Sequence, residues 1–456
     1  VHGAQGSRKK SSHSGASLWR GLPVTRNWRW EIDMQIRVFV LLIIFVSLNW
    51  HEPCFSQKAD SSELLKTADE MVETVTRLRG LKPKAPILKG VKTRNEISKY
   101  LNERVEAEYD QGELGREGKV LRILGLIPPA MDYREFIMKL LTEQVGGFYD
   151  PEDKTFYIAS WLPAEEQKPV MVHELTHALQ DQYFNMKKIF DEDRELDNDD
   201  RTLAHQAIFE GDGMAVMLDF LLEPVNRNFA QLPDLAFIMQ TQMSTMQSQF
   251  AVFEEAPPFL QENLLFPYGY GASFIQKAWI KEPSWDSVNR IYSDLPASTE
   301  QILHPEKYFD ERDDPKSLDV ENPATGLDGN WKIAYKNVLG EFSLGLLLRL
   351  HLPEERARRS AAGWGGDLVL LLENDAGENA VFVTTVWDTL EASDRFFQAM
   401  DEWFQKRFPE TLRLDESPEG FSVIQGKKFY AIRHEGEAVR FVLGFPEAAG
   451  QNLKEF

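Results

Sequence analysis

The run His173-Glu174-Leu175-Thr176-His177 constrains this chain more than any other five residues. Two imidazoles four positions apart serve one metal ion when the backbone between them is helical, because i and i+4 then project from one face a turn apart. The flanking residues agree. Val170, Met171, Val172, Leu175, Ala178 and Leu179 supply the apolar face of a buried helix, Pro169 suits its beginning, and neither Pro nor Gly interrupts it before Asn185. On such a helix Glu174 sits beside the metal, where it can take a proton from a water and later hand it to a leaving amine. The plainer alternative is an ordinary helix with two surface histidines, and the apolar setting argues against it.

A catalytic zinc keeps three protein ligands and one open position, so a third ligand is required. The best candidate is Glu210 in Leu203 to Leu222, a segment that reads as a second helix. Gly211 and Gly213 lower its helix propensity, and close approach to the first helix is the expected compensation. Asp212 is a candidate acceptor behind a ligating imidazole, with a solvated helix carboxylate as the alternative. His205 is the rival ligand, although a lone helix histidine is more often structural.

At these residues the chain resembles the gluzincin metallopeptidases. His173 to Asp181 reads HELTHALQD, similar to the thermolysin-like HELTHAxxD, and Glu210 in Glu-Gly-Asp-Gly takes the place of the downstream glutamate. Together with Ser298 to Pro305 (STEQILHP) and Gly363 to Asp367 (GWGGD), these segments look like a group of largely uncharacterised bacterial exported proteins with predicted zincin domains. The likeness covers about Ser61 to Leu443. It implies an α+β, mainly helical zincin-like metallopeptidase fold, Zn²⁺ held by His173, His177 and Glu210, and peptide-bond hydrolysis with Glu174 as general base and acid. One departure stands out: Met214 occupies the position, four after Glu210, where thermolysin carries an aspartate.

Upstream, Gly146 to Ser160 places Phe148-Tyr149 and Phe156-Tyr157-Ile158 around Asp150-Pro151-Glu152-Asp153, a β-hairpin signature. The resemblance implies that an edge strand here pairs with the extended substrate, a plain packed hairpin being the alternative. Downstream, Ser298 and Gln301 form a capping-box pattern for a short turn that stops at His304 before Pro305. A fixed His304 can donate to the oxyanion formed as water attacks, or hold a local structural hydrogen bond. Tyr270, with Tyr268 beside it, is a further oxyanion candidate, set against the commoner role of a tyrosine packed next to a cleft.

The acidic run Asp191 to Asp200 lacks the glycine and bidentate glutamate of an EF-hand and reads as a solvated loop. Met34 to Arg37 followed by Val38 to Leu48 has the charged region and short apolar core of a signal peptide, the apolar part being too short to span a bilayer. Cleavage after Ser56 would leave Gln57 first and remove Cys54, the one cysteine, so stability must rest on a core. A formal charge of −21 argues against nucleic acid and anionic membrane partners and suits a secreted or periplasmic protein acting on a peptide or protein substrate.

The expected organisation is an upstream basic segment and signal peptide at 1–56, an N-terminal helical region at 57–145, a zincin-like catalytic domain at 146–360 and a small α+β module at 361–456. Helices are expected at Ser61 to Leu78, Asn95 to Tyr109, Glu117 to Leu124 and Tyr133 to Glu143, and again through most of Leu235 to Leu350. Strands are expected at Leu368 to Leu372 and Val381 to Trp387, then a helix around Phe396 to Phe404 and strands near Phe429 and Val439. The expected function is a secreted zinc endopeptidase. The rival is a non-catalytic zincin-fold binding protein of the cell envelope, against which an intact Glu174 counts.

Overall fold

Apolar residues at helical spacing dictate how the chain begins. Leu64, Ala68, Met71 and Val75 line one face of α1 (Ser61–Arg79) and are buried. Asp60 caps its start by accepting from the Ser62 N–H, and Gly80, at φ +75°, ends it by returning its N–H to Thr76. β1 (Leu88–Lys92) follows, then α2 (Glu113–Leu124) and α3 (Tyr133–Gln144). The expected hairpin is β2 (Gly147–Asp150) and β3 (Thr155–Ala159), which pair antiparallel. β1 lies parallel to β3 on its other side, so the order is β1-β3-β2 and β2 is an edge strand. The computed structural model describes residues 60–108, 112–144, 147–238, 250–409 and 411–453. The signal-peptide expectation at Met34 to Ser56 lies outside the described residues.

The HELTH run lies on α4 (Ala164–Phe184), which starts at Ala164, well before the expected position, so that Pro169 is an interior residue. A proline there forgoes one backbone bond in the second turn, and the buried face of the helix outweighs that loss. Asn185, in the left-handed region at φ 54°, ends α4. After α5 (Met186–Arg194) comes α6 (Asp199–Leu222), which carries Glu210 and is buried on nearly all sides. α6 crosses α7 (Pro258–Lys281) almost backbone to backbone: a Cβ on Gly271 would stand 2.0 Å from the Ala207 carbonyl oxygen, and one on Gly211 2.2 Å from the Gly271 carbonyl carbon. Gly211 therefore serves α7, not the first metal helix. Leu175, Phe209 and Phe274 belong to the one core that α1, α4, α6 and α7 share with β2 and β3.

Beyond α8 (Thr299–Leu303) the texture changes to sheet. β4 (Lys332–Asn337), α9 (Gly340–Arg349), β5 (Trp364–Glu373), β6 (Asn379–Trp387), α10 (Leu390–Arg407), β7 (Arg413–Ser417), β8 (Gly420–Gln425), β9 (Lys428–Glu435) and β10 (Ala438–Pro446) follow in turn. The strands form one antiparallel sheet in the order β4-β5-β6-β10-β9-β8-β7. α10 covers one face through Phe396, Met400 and Trp403, joined there by Leu347 of α9 and Leu121 of α2. The sheet takes in β4, upstream of the expected boundary at 361. The chain is thus α+β, mainly helical, with a separate C-terminal sheet module. Among the described residues no helix is long and apolar enough to cross a membrane.

Candidate metal centre

α4 and α6 pack against each other, and their packed faces bring three donors to one point. His173 Nε2 lies 3.0 Å from His177 Nε2 and 3.0 Å from Glu210 Oε2, and His177 Nε2 lies 3.4 Å from the same oxygen. All three side chains are buried. Ligands bonded to Zn²⁺ at the usual lengths in a tetrahedron stand about 3.3 Å apart, so the triangle has the size that ion needs. Its chemistry agrees, since two imidazoles and a carboxylate aimed at one another in a dry site require a positive charge between them. Glu210 Oε1 is buried and makes no hydrogen bond, which leaves it available to the same cation. Gly213 makes the approach possible, because a Cβ there would stand 2.8 Å from His173 Cε1.

Electrostatics organise the cluster around a single positive charge. Burial pulls His177 down, but the Glu210 carboxylate overrides it and takes that imidazole up to about 9. Burial and the neighbouring His177 hold His173 below its ordinary value. Glu210 itself would be raised by burial, yet the two imidazoles hold it below the usual carboxylate range. Glu174, next to His173 on α4, is pushed up to about 8, chiefly by burial, with Glu210 adding and His177 opposing. Its Oε2 accepts from the Tyr149 N–H of β2 at 2.9 Å, and its Oε1 is buried without a partner. The edge strand is therefore fastened to the carboxylate beside the three converging donors.

A further layer fixes the imidazole of His177. Its Nδ1 stands 2.7 Å from Gln180 Oε1, which assigns a proton to Nδ1 and turns Nε2 toward the cluster. Gln180 Nε2 in turn donates to the Phe209 carbonyl, to Asp212 and to the Tyr292 hydroxyl oxygen. Asp212, the candidate acceptor behind a ligating imidazole, accepts from Gln180 instead, which stands between it and His177. Arg79, fully buried at the end of α1, donates to Asp212 from Nε at 2.7 Å and from Nη2 at 3.0 Å. Helical spacing from His177 makes Gln180 findable in the sequence, whereas nothing local marks Arg79.

The remaining candidates lie elsewhere. His205 is on α6 but its Nδ1 stands 2.5 Å from Asp193, and it is not one of the three converging donors. His304 Nε2 is 2.8 Å from Glu341 Oε1, a bond of the structural kind weighed above. Tyr270 stacks on Phe266, while Tyr268 is the tyrosine beside the site, its ring centroid 6.2 Å from that of His173. Turning by one residue per 100° explains the exchange, since 268 and 270 face well apart on α7. The acidic run is folded into α5 and the start of α6, where Asp193 bonds Arg201 and Asp200 accepts from the Thr299 N–H.

Fold and cluster together define a mainly helical α+β protein with a buried site of two histidines and one glutamate. Residues 332–454, which are the sheet module, match a family described as a domain of unknown function, DUF8575. The chain is also similar to a crystal structure from Chloroflexus aurantiacus, provisionally named a hydrolase with a novel fold. That likeness covers 62% of this chain and 97% of the other at 14% identity, with a TM-score of 0.33. No curated protein matches the sequence.

Proposed function

We propose that this chain is a zinc-dependent peptidase of the gluzincin type, with His173, His177 and Glu210 holding the metal. The observation that carries the reading is the buried triangle of donors with the half-bonded carboxylate of Glu174 beside it. A Zn²⁺ held there supplies a Lewis acid that polarises a scissile carbonyl and lowers the pKa of a water. The residues divide the remaining work. The Tyr149 N–H holds Glu174 Oε2, which leaves Oε1 to take the proton of the attacking water and return it to the leaving nitrogen. Gln180 keeps the His177 ring in the tautomer and orientation that ligation needs. β2, the edge strand of its sheet, is the strand this reading assigns to pairing with an extended substrate. An intact, buried Glu174 favours an enzyme over a zinc-binding scaffold, because ligation alone does not use that carboxylate.

The test is a pair of substitutions. Glu174→Gln is expected to retain zinc and lose hydrolysis of a peptide library by orders of magnitude, whereas His173→Ala or Glu210→Ala loses the metal as well. Full activity in Glu174→Gln would overturn the assignment of the proton carrier.

A further inference from the structure

The HELTHALQD segment ends in Asp181, which follows Glu174 by two helical turns on α4. Residues so spaced stand on one face of a helix, about 10 Å apart along its axis. Both carboxylates are buried. One residue of β2 reaches them both. The Tyr149 N–H donates to Glu174 Oε2 at 2.9 Å, and the Tyr149 hydroxyl donates to Asp181 Oδ2 at 3.0 Å. Tyr149 is itself 3% exposed, so it lies along α4 with its backbone at one carboxylate and the end of its side chain at the other.

The pleat of β2 explains why this residue and not its neighbour does so. Phe148 points to the opposite face, where its ring centroid is 5.2 Å from that of Tyr100 and 5.1 Å from that of Tyr157. A slip of one residue would lay phenylalanine against α4 and take the hydroxyl away. β2 is only four residues long and pairs on one side alone, with β3. A ladder that short holds its strand weakly, so the position of β2 over α4 depends on fastenings outside the sheet. Asp181 supplies a firm one. It is 7% exposed and also meets the backbone N–H groups of Met186 and Lys187 at the start of α5, which fix where its oxygens point. Glu174 has no comparable support: among the described residues, the Tyr149 N–H is the one hydrogen-bond donor to its carboxylate.

We propose that Tyr149 and Asp181 are positioning residues for Glu174. The bond from hydroxyl to carboxylate fixes the tyrosine side chain on α4, and the side chain fixes the backbone of β2. The Tyr149 N–H then holds Glu174 Oε2, so that Oε1 stays where an attacking water needs its base. The consequence for hydrolysis rests on the peptidase reading, whereas the hold on Glu174 does not.

The test uses the zinc-supplied full chain with two readouts, hydrogen exchange of the amide at 149 and steady-state kinetics on a peptide mixture. Tyr149→Phe keeps the ring and deletes only the hydroxyl. It is expected to speed exchange at 149 about 10- to 100-fold, the loss that goes with one hydrogen bond to a charged group, while amides in the middle of α6 keep their rates. Its kcat is expected to fall about tenfold with KM and zinc content unchanged, because the base is misplaced and the substrate is still bound. Asp181→Asn retains an oxygen that accepts from the hydroxyl and is expected to stay near wild type in both readouts. Asp181→Ala removes that acceptor and replaces Tyr149→Phe if the latter does not fold. Unchanged exchange at 149 would overturn the inference, as would a rise shared equally by α6, which is what a merely structural tyrosine gives. Faster exchange at 149 with kcat unchanged would refute it too, since the N–H would then do nothing for the base. Faster exchange at 149 in a chain whose wild type cuts nothing would keep Tyr149 and Asp181 as the holders of Glu174 and sink the peptidase reading alone.

Discussion

A methyl group at position 213 would collide with the His173 ring at 2.8 Å, and the ring has nowhere to retreat because its other side faces His177 and Glu210. Gly213→Ala is therefore expected to cost about 1–3 kcal/mol of stability through overpacking and to lower zinc affinity 10- to 100-fold by turning the imidazole. Competition with a chromophoric chelator measures the second effect, and an affinity equal to wild type would mean that the ring position is not set by α6. The four residues Glu210-Gly211-Asp212-Gly213 thereby divide into four contacts: the proposed metal ligand beside His173, the crossing with α7, the anchor for Arg79, and the seat for His173. Arg79 and Asp212 are both fully buried, and removing either would leave an uncompensated charge behind the Gln180 that orients His177.

Between elements, the segment from α8 onward acts as a clasp. Lys307 Nζ donates to Glu300 at 2.6 Å and Asp313 at 2.8 Å and also to Asp388 at the end of β6, while His304 bonds Glu341 of α9. Burial pushes Glu300 up to about 9, Glu341 adding to the rise and Lys307 opposing it. The folded state thus holds this proton more tightly than the unfolded chain, whose carboxyl titrates near 4.5, so stability falls as pH climbs from about 4.5 toward 9. His304 is pulled down by burial but raised overall by Glu341; its contribution is complete below 6.5 and is lost as pH rises through its higher folded value, in the same direction. The expected result is a Tm that declines from about pH 5 to about pH 9, and a Glu300→Gln variant that recovers about 1–3 kcal/mol at the alkaline end. Parallel Tm profiles for the two proteins would show that Glu300 does not titrate in this range.

At the scale of the molecule, helical body and sheet share apolar surface. Leu121 of α2 packs in the same cluster as Val383, Phe396 and Phe441 of the sheet module, and Arg407 of α10 donates to the Leu124 carbonyl. A fragment from 332 to 453 would expose the part of its sheet and helices that α2 covers. Such a fragment is expected to bind a hydrophobic dye and to unfold without a sharp transition, whereas the full chain unfolds cooperatively. A cooperative, dye-free melt of the fragment would show that the module carries a sufficient core of its own.

The sequence by itself determined whatever depends on local period and spacing. His173 and His177 share a helix face because 3.6 residues make a turn, Asn185 stops that helix, and the alternation around Asp150 to Asp153 makes a hairpin. The long strands β5 and β6 and the amphipathic α10 were readable on the same grounds. β1 was not, since Leu-Lys-Gly-Val-Lys has little pattern and is a strand only because β3 lies beside it. β4 and β7 are likewise short edge strands with polar faces, made by their neighbours. Tertiary structure alone decided that Gln180 and not Asp212 meets His177, that Tyr268 and not Tyr270 stands near His173, and that His304 turns to Glu341. It also brought Arg79 to Asp212 across a sequence separation of 133 and buried the Gln206 carboxamide without a hydrogen-bond partner. Local spacing is enforced by backbone geometry within a turn or two, whereas these partners meet only because separate apolar faces close on one core and carry their polar side chains along.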